Sequence, residues 1–164
     1  MKTPETDMPR SPKADSGSRT LSSFLCFAIY SANLAFGRAY KPLLDELGLT
    51  YTQYIALVAL GEKDGQTVGE LGEKLFLESN TLTPILKKLE ATGYLLRGRD
   101  PADERQVRLS LTRAGHDIVD KNPGNALFDA TGLDEESFPR VQQAVASLRD
   151  NLLRAPKGNA ETGK

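Results

Sequence analysis

The sequence predicts a mainly α protein with a small β-hairpin wing, a winged helix-turn-helix flanked by N- and C-terminal dimerisation helices. Three observations lead there. Apolar residues recur with a helical period through most of the chain, and two Thr-x-x-Gln/Glu capping boxes open consecutive short helices. The period switches to alternation in one place, on either side of a charged tip. Positive charge is gathered on the helix before that switch and on the hairpin itself.

The elements follow in order. Leu21 to Tyr40 reads as one long helix, with Phe24, Phe27, Ala28, Ser31, Leu34 and Ala35 on or near one face. Pro42 fits the start of a short further turn, which Gly48 ends. Thr50-x-x-Gln53 caps a helix through about Leu60, and Gly61 to Gln66 is a turn. Thr67-x-x-Glu70 caps a short helix through about Phe76. Ser79 can cap the next, Asn80 to about Thr92, with Leu82, Ile85, Leu86 and Leu89 on its apolar face and Gly93 after its end. Tyr94 to Arg99 and Gln106 to Leu111 are strands joined by DPADER. Within that tip Asp103 and Arg105 are close enough in sequence to form an ion pair that shapes it. Thr112 caps a fifth helix, NPGN makes a loop, and Asp134 can cap a last helix carrying Phe138, Val141, Val145, Leu148 and Leu152. Little else in the chain is left to cover that last stripe, so a partner chain would.

Residues 1–19 are rich in Pro, Ser and charge and read as a disordered arm; 155–164 read as a similar tail, leaving 20–154 as one domain. With 39% hydrophobic residues the chain can bury a core, and a formal net charge of −1 excludes a bulk polycation. One Cys and one His exclude an internal disulfide and make a metal centre implausible. No cofactor motif and no catalytic constellation occurs, and His116 reads as a surface residue. There is no apolar run long enough for a bilayer and no signal core, so the chain reads as cytoplasmic, away from membranes, with its thiol reduced.

The segment SNTLTPILKKLEATG has what a recognition helix needs: a polar first turn to reach base edges and an apolar back. Ser79, Asn80, Thr81 and Thr83 can exchange hydrogen bonds with bases, and Lys87 and Lys88 can reach phosphates. Asn80 to Arg113 holds seven basic residues against four acidic, a balance of +3, whereas Leu43 to Ser79 holds two against seven, or −5. Arg97, Arg99 and Arg105 extend the positive surface onto the wing. The partner these residues suit is double-stranded DNA. Two such modules in a homodimer would read a pseudo-palindromic operator.

The one cysteine lies in FLCFAIY. A free Cys in apolar company commonly just packs, with Tyr30, one turn on, a helix neighbour. Tyr40 follows Cys26 by 14 residues, close to four turns, so it shares the face but lies about 21 Å further along a continuous helix. It can approach Cys26 only from a second chain whose first helix runs antiparallel. Tyr51 begins the next helix near the same end. Two phenol hydroxyls donating to one sulfur would stabilise a thiolate, which in an apolar pocket would react with an organic hydroperoxide.

LCFAIYSANLAFGRAYKPLLDELGLTYTQY and LFLESNTLTPILKKLEATGYLLRGRDPADERQVRLSLT resemble the organic hydroperoxide resistance repressors, a branch of the MarR family. The DER of the wing marks the family. The LCFAIY cysteine with tyrosines at +14 and +25, and TLTP in the recognition helix, mark the peroxide-sensing branch. The resemblance implies that Cys26 is the sensing thiol, with Tyr30 nearby and Tyr40 and Tyr51 of the partner chain as its donors. It implies that Arg105 enters the minor groove and that Arg97 supports the wing or meets phosphate. No second, resolving cysteine is present, so the one-Cys type is implied, whose sulfenic acid condenses with a low-molecular-weight thiol or is overoxidised. Two rivals stand beside this reading. One is a MarR-type regulator released by a small phenolic ligand, with Cys26 only structural. The other is a thiol peroxidase that turns over, against which the missing resolving thiol argues.

Overall fold

A computed structural model of the chain describes residues 20–155; the arm 1–19 and the tail beyond Ala155 lie outside the described residues. The chain divides after Arg38 into two compact units. The first contains a 3-10 turn, Leu21–Ser23, and the N-terminal part of helix α1, Leu25–Asp45. Its side chains Leu25, Ile29, Tyr30, Leu34 and Phe36 are exposed, with Leu25 at 61%.

The second unit holds the core. After α1 come α2 (Tyr51–Glu62), β1 (Gln66–Thr67), α3 (Val68–Leu75), α4 (Ser79–Ala91), β2 (Leu95–Arg99), β3 (Val107–Leu111), α5 (Arg113–Lys121) and α6 (Ser137–Arg154). Leu44, Leu57, Leu60, Leu71, Leu82, Leu86, Leu89, Leu95 and Leu109 are fully buried and pack helices α2 to α4 against the sheet. Leucines at helical spacing on α4 and at alternate strand positions converge because each element turns its one apolar face inward.

Both capping boxes form. Thr50 accepts from the Gln53 N–H at 3.3 Å while the Gln53 side chain accepts from the Thr50 N–H at 2.9 Å. Thr67 and Glu70 repeat the exchange at 3.1 and 2.7 Å. Thr112 caps α5 through the Gly115 N–H. Asp134 binds the Ser137 N–H at 2.6 Å, one turn ahead of α6.

Four expectations change. The first helix begins at Leu25, not Leu21, and runs through Pro42 instead of restarting there. Pro42 lacks an N–H, and the helix ends three residues later, where Leu49 N–H returns to Leu44 O. Ser79 is the first residue of α4, not its cap; Glu78 stands at the cap without a side-chain bond. The expected two-stranded hairpin is the outer part of a three-stranded antiparallel sheet of order β1-β3-β2, because Gln66 and Thr67 pair with Leu109 and Arg108. Buried Gln66 fixes this edge by donating to Ala59 O at 2.8 Å and to Lys63 O at 2.6 Å.

The turn from α3 to α4 is tight. A Cβ on Gly72 would lie 2.9 Å from Leu77 O, so only glycine lets the chain close there. Phe76 then takes a left-handed φ of 56°, where glycine is the usual residue. Its ring is exposed, with the Arg149 guanidinium of α6 4.8 Å from the ring centroid.

Candidate nucleic-acid interface and thiol

The polar first turn of α4 faces solvent. Ser79, Asn80 and Thr81 are exposed, and Thr81 Oγ1 donates to Asn80 Oδ1 at 3.3 Å. Thr83 is half-buried, and its hydroxyl is spent inside the helix on Ser79 O at 2.7 Å. Its methyl is what remains to offer a base. Lys87 and Lys88 are exposed on the same helix. Buried Leu82, Leu86 and Leu89 seat the helix on the core, so the polar face is held outward.

On the wing Arg99 and Arg105 are exposed. Arg97 differs: its guanidinium lies 3.6 Å from Glu90 of α4, its side chain is only 26% exposed, and its shielded Nε has no hydrogen-bond partner. It braces β2 against the recognition helix and does not project from it.

The expected ion pair between Asp103 and Arg105 is absent. Asp103 accepts from the Arg105 backbone N–H at 3.1 Å and from the Gln106 side chain at 3.2 Å, an Asx turn that engages both carboxylate oxygens. The wing's ion pair is Arg108 with Asp100, at 2.7 and 2.8 Å. Asp100 is buried and also accepts from the Ala102 N–H, while Arg108 donates to Gly65 O at 2.9 Å. These bonds, led by the Ala102 N–H, hold the Asp100 carboxyl below the usual carboxylate range. The pair ties the hairpin to the loop before β1 and leaves the Arg105 guanidinium outside any ion pair among the described residues.

In the first unit Cys26 is an exposed free thiol in the first turn of α1. Tyr30 is exposed one turn later, its ring 6.4 Å from that of Phe27. The second unit brings Tyr40 and Tyr51 together, ring centroids 4.8 Å apart, and adds a third ring, Tyr54, 5.7 Å from Tyr40. Tyr54 was legible in principle, since it follows Tyr51 by one turn on a capped helix. Burial pushes the Tyr40 and Tyr51 phenols above their ordinary value, and at Tyr51 the neighbouring Tyr40 and Tyr54 add to the rise. Both phenols are therefore protonated donors at neutral pH. Among the described residues neither hydroxyl donates to a protein acceptor. His116 is exposed, no cluster of His, Cys, Asp or Glu suited to a metal occurs among the described residues, and no described helix is long and apolar enough to cross a membrane.

This geometry has known counterparts. The family model of the transcriptional regulator SarA/Rot matches residues 38–122. The HTH-type transcriptional regulator TtmR of Methylorubrum extorquens is 44% identical over 145 residues, 87% of this chain and 74% of the relative. The organic hydroperoxide resistance transcriptional regulator of Bacillus subtilis is 41% identical over 131 residues, 78% of this chain and 86% of that protein. Among solved structures, reduced AbfR bound to DNA superposes with a TM-score of 0.64 at 32% identity, over 81% of this chain and 94% of that one. AbfR comes from Staphylococcus epidermidis.

Proposed function

The chain belongs to the MarR-type winged-helix transcriptional regulators, in the branch of the organic hydroperoxide resistance regulators, and from that premise we propose that it is a homodimeric repressor that releases its operator when an organic hydroperoxide oxidises Cys26. As a DNA-binding regulator it presents the first turn of α4 to base edges, Lys87 and Lys88 to phosphates, and Arg99 and Arg105 from the wing. Arg97 acts from behind, through Glu90.

The observation that carries the sensing reading is a set of unspent groups: one exposed thiol and two protonated phenols without acceptors. A partner copy supplies Tyr40 and Tyr51 to Cys26. A second copy also covers the apolar side chains left open on α1 and on α6, where Phe138, Val141, Val145 and Leu152 are exposed. In the reaction the Cys26 thiolate attacks the terminal peroxide oxygen. The O–O bond breaks, the alcohol leaves with a proton, and sulfur becomes a sulfenic acid. The tyrosine hydroxyls orient the thiolate. A low-molecular-weight thiol then condenses with the sulfenic acid, expelling water and leaving a mixed disulfide. The enlarged sulfur no longer fits among the partner's phenols, and the spacing of the two recognition helices changes.

The test is a gel shift on a palindromic promoter fragment, with reduced wild type and Cys26→Ser, each with and without cumene hydroperoxide together with a stoichiometric low-molecular-weight thiol, followed by excess dithiothreitol. The reading expects wild type to release DNA, dithiothreitol to restore binding after a small thiol has capped the sulfur, and Cys26→Ser to stay bound. Equal release by both proteins would reduce Cys26 to packing and turn attention to a reversible ligand.

A further inference from the structure

The NPGN segment after α5 has no part in the sensing chemistry as described, yet it sits against the tyrosines. Asn122 takes a left-handed φ of 39°, Pro123 opens a 3-10 turn, Pro123–Leu127, and the Asn125 N–H closes on Asn122 O at 3.0 Å. This delivers Gly124 to the hydroxyl end of Tyr40. A Cβ at Gly124 would lie 2.8 Å from Tyr40 Oη, 3.3 Å from Asn122 Oδ1 and 3.8 Å from Tyr40 Cζ. The first is a clash, the second a tight contact that a small shift of the Asn122 side chain relieves, and the third an ordinary contact. Unlike Gly48, Gly65, Gly93 and Gly132, Gly124 does not have a left-handed φ. What glycine supplies here is space, not backbone freedom.

Two further rings flank that of Tyr40, which is half-buried. Tyr51 lies at 4.8 Å and Tyr54 at 5.7 Å between centroids. Tyr54 is itself buried, and the backbone of Gly124 bears on its hydroxyl, partly offsetting the rise that burial imposes on it. One loop residue thus meets the hydroxyl ends of two of the three phenols.

We propose that Gly124, backed by Tyr54, is a positioning residue for peroxide sensing: it sets the direction in which the Tyr40 hydroxyl points toward the partner's thiol. This rests on the sensing role of Cys26 and Tyr40 proposed above. Gly124 touches neither thiol nor peroxide and acts only through Tyr40. A methyl at 124 drives the hydroxyl off its line by a few tenths of an ångström or more, and a hydrogen bond to sulfur weakens with it.

The experiment is a double-mutant cycle on full-length reduced protein, reading the rate of Cys26 sulfenic acid formation with cumene hydroperoxide by dimedone trapping and mass spectrometry. Tyr40→Phe is expected to slow oxidation about 10- to 100-fold, the loss of one hydrogen bond to a charged group. Gly124→Ala is expected to slow it about tenfold, with operator binding of the reduced protein unchanged. In the Tyr40→Phe background Gly124→Ala is expected to slow oxidation no further, because the one clashing atom, Tyr40 Oη, is gone and the 3.3 Å approach to Asn122 Oδ1 does not involve the phenol. A merely structural role would slow both backgrounds alike, and that result overturns the proposal, as does full-speed oxidation of Gly124→Ala. If Gly124→Ala alone cannot bind operator when reduced, the double variant must restore binding, since deleting the hydroxyl removes the clash; failure to restore it also overturns the proposal. If wild type forms no sulfenic acid at Cys26, the sensing reading itself fails and takes this inference with it.

Discussion

Replacing Arg105 by Ala should separate the three kinds of basic residue at the proposed DNA-facing end. The Arg105 guanidinium is exposed and joins no ion pair among the described residues, and the Asp103 carboxylate is occupied by the Arg105 backbone N–H and by Gln106. Removing it therefore costs the fold no ion pair, and the loss falls on DNA. A groove contact by Arg is worth about 1–3 kcal/mol, or roughly 5- to 150-fold in Kd, and a symmetric dimer forgoes it twice. Lys87→Ala should behave differently, weakening all duplexes alike and flattening the dependence of log K on log salt by about 0.9 for each phosphate no longer neutralised. Arg97→Ala should leave that slope alone and lower the unfolding midpoint, because its guanidinium faces Glu90 at 3.6 Å from behind the recognition helix. The assay is fluorescence anisotropy of a labelled operator duplex and of a scrambled duplex at several salt concentrations, with urea unfolding of each variant alongside. If Arg105→Ala binds operator as wild type does while Arg97→Ala loses salt dependence, the assignment of front and back on the wing is wrong.

Two further outcomes follow from the second unit. Gln66→Ala leaves Lys63 O without its amide donor and Ala59 O with only the long 3.4 Å bond from the Lys74 ammonium, and should cost about 1–3 kcal/mol in urea unfolding; an unchanged midpoint would show that water replaces the amide freely. The Glu70 carboxyl is pulled down to about 2, first by the Thr67 backbone N–H and then by Lys63. A carboxyl depressed in the folded state contributes stability above its ordinary value near 4.5, and that contribution is lost as pH falls toward 2. Glu70→Gln, which cannot titrate, should therefore lose less stability than wild type between pH 5 and pH 2, measured by denaturant midpoints; parallel pH profiles would rule out a role for this carboxyl in acid sensitivity.

The parts of this fold that were legible are those fixed within a turn or two. A capping box needs only Thr50 and Gln53, or Thr67 and Glu70, and each closed as its spacing requires. The apolar stripe of α4 and the alternation of β3 placed their own buried faces. What could not be read depends on which segments lie side by side. Asp103 and Arg105 are neighbours in sequence, but a two-residue spacing suits the Asx turn better than an ion pair. The antiparallel register instead sets Gly98 opposite Arg108, next to Asp100, and so chooses the partner that sequence distance hides. The strand β1 is two residues long and exists only because β3 offers it an edge.

The same distinction governs the thiol chemistry. Cys26, Tyr40 and Tyr51 could be singled out because a thiol and phenols are the residue types the proposed reaction needs. Tyr54 and Gly124 carry none of it, and in sequence they are a core aromatic and a loop glycine. They gain meaning only where the chain returns, some 80 residues after Tyr40, to press a turn against that phenol. Reactive groups announce themselves by type, whereas the groups that aim them do so only by contact. A glycine with an ordinary φ, where an added methyl would sit 2.8 Å from the Tyr40 hydroxyl, is such a contact, and neither composition nor periodicity contains it.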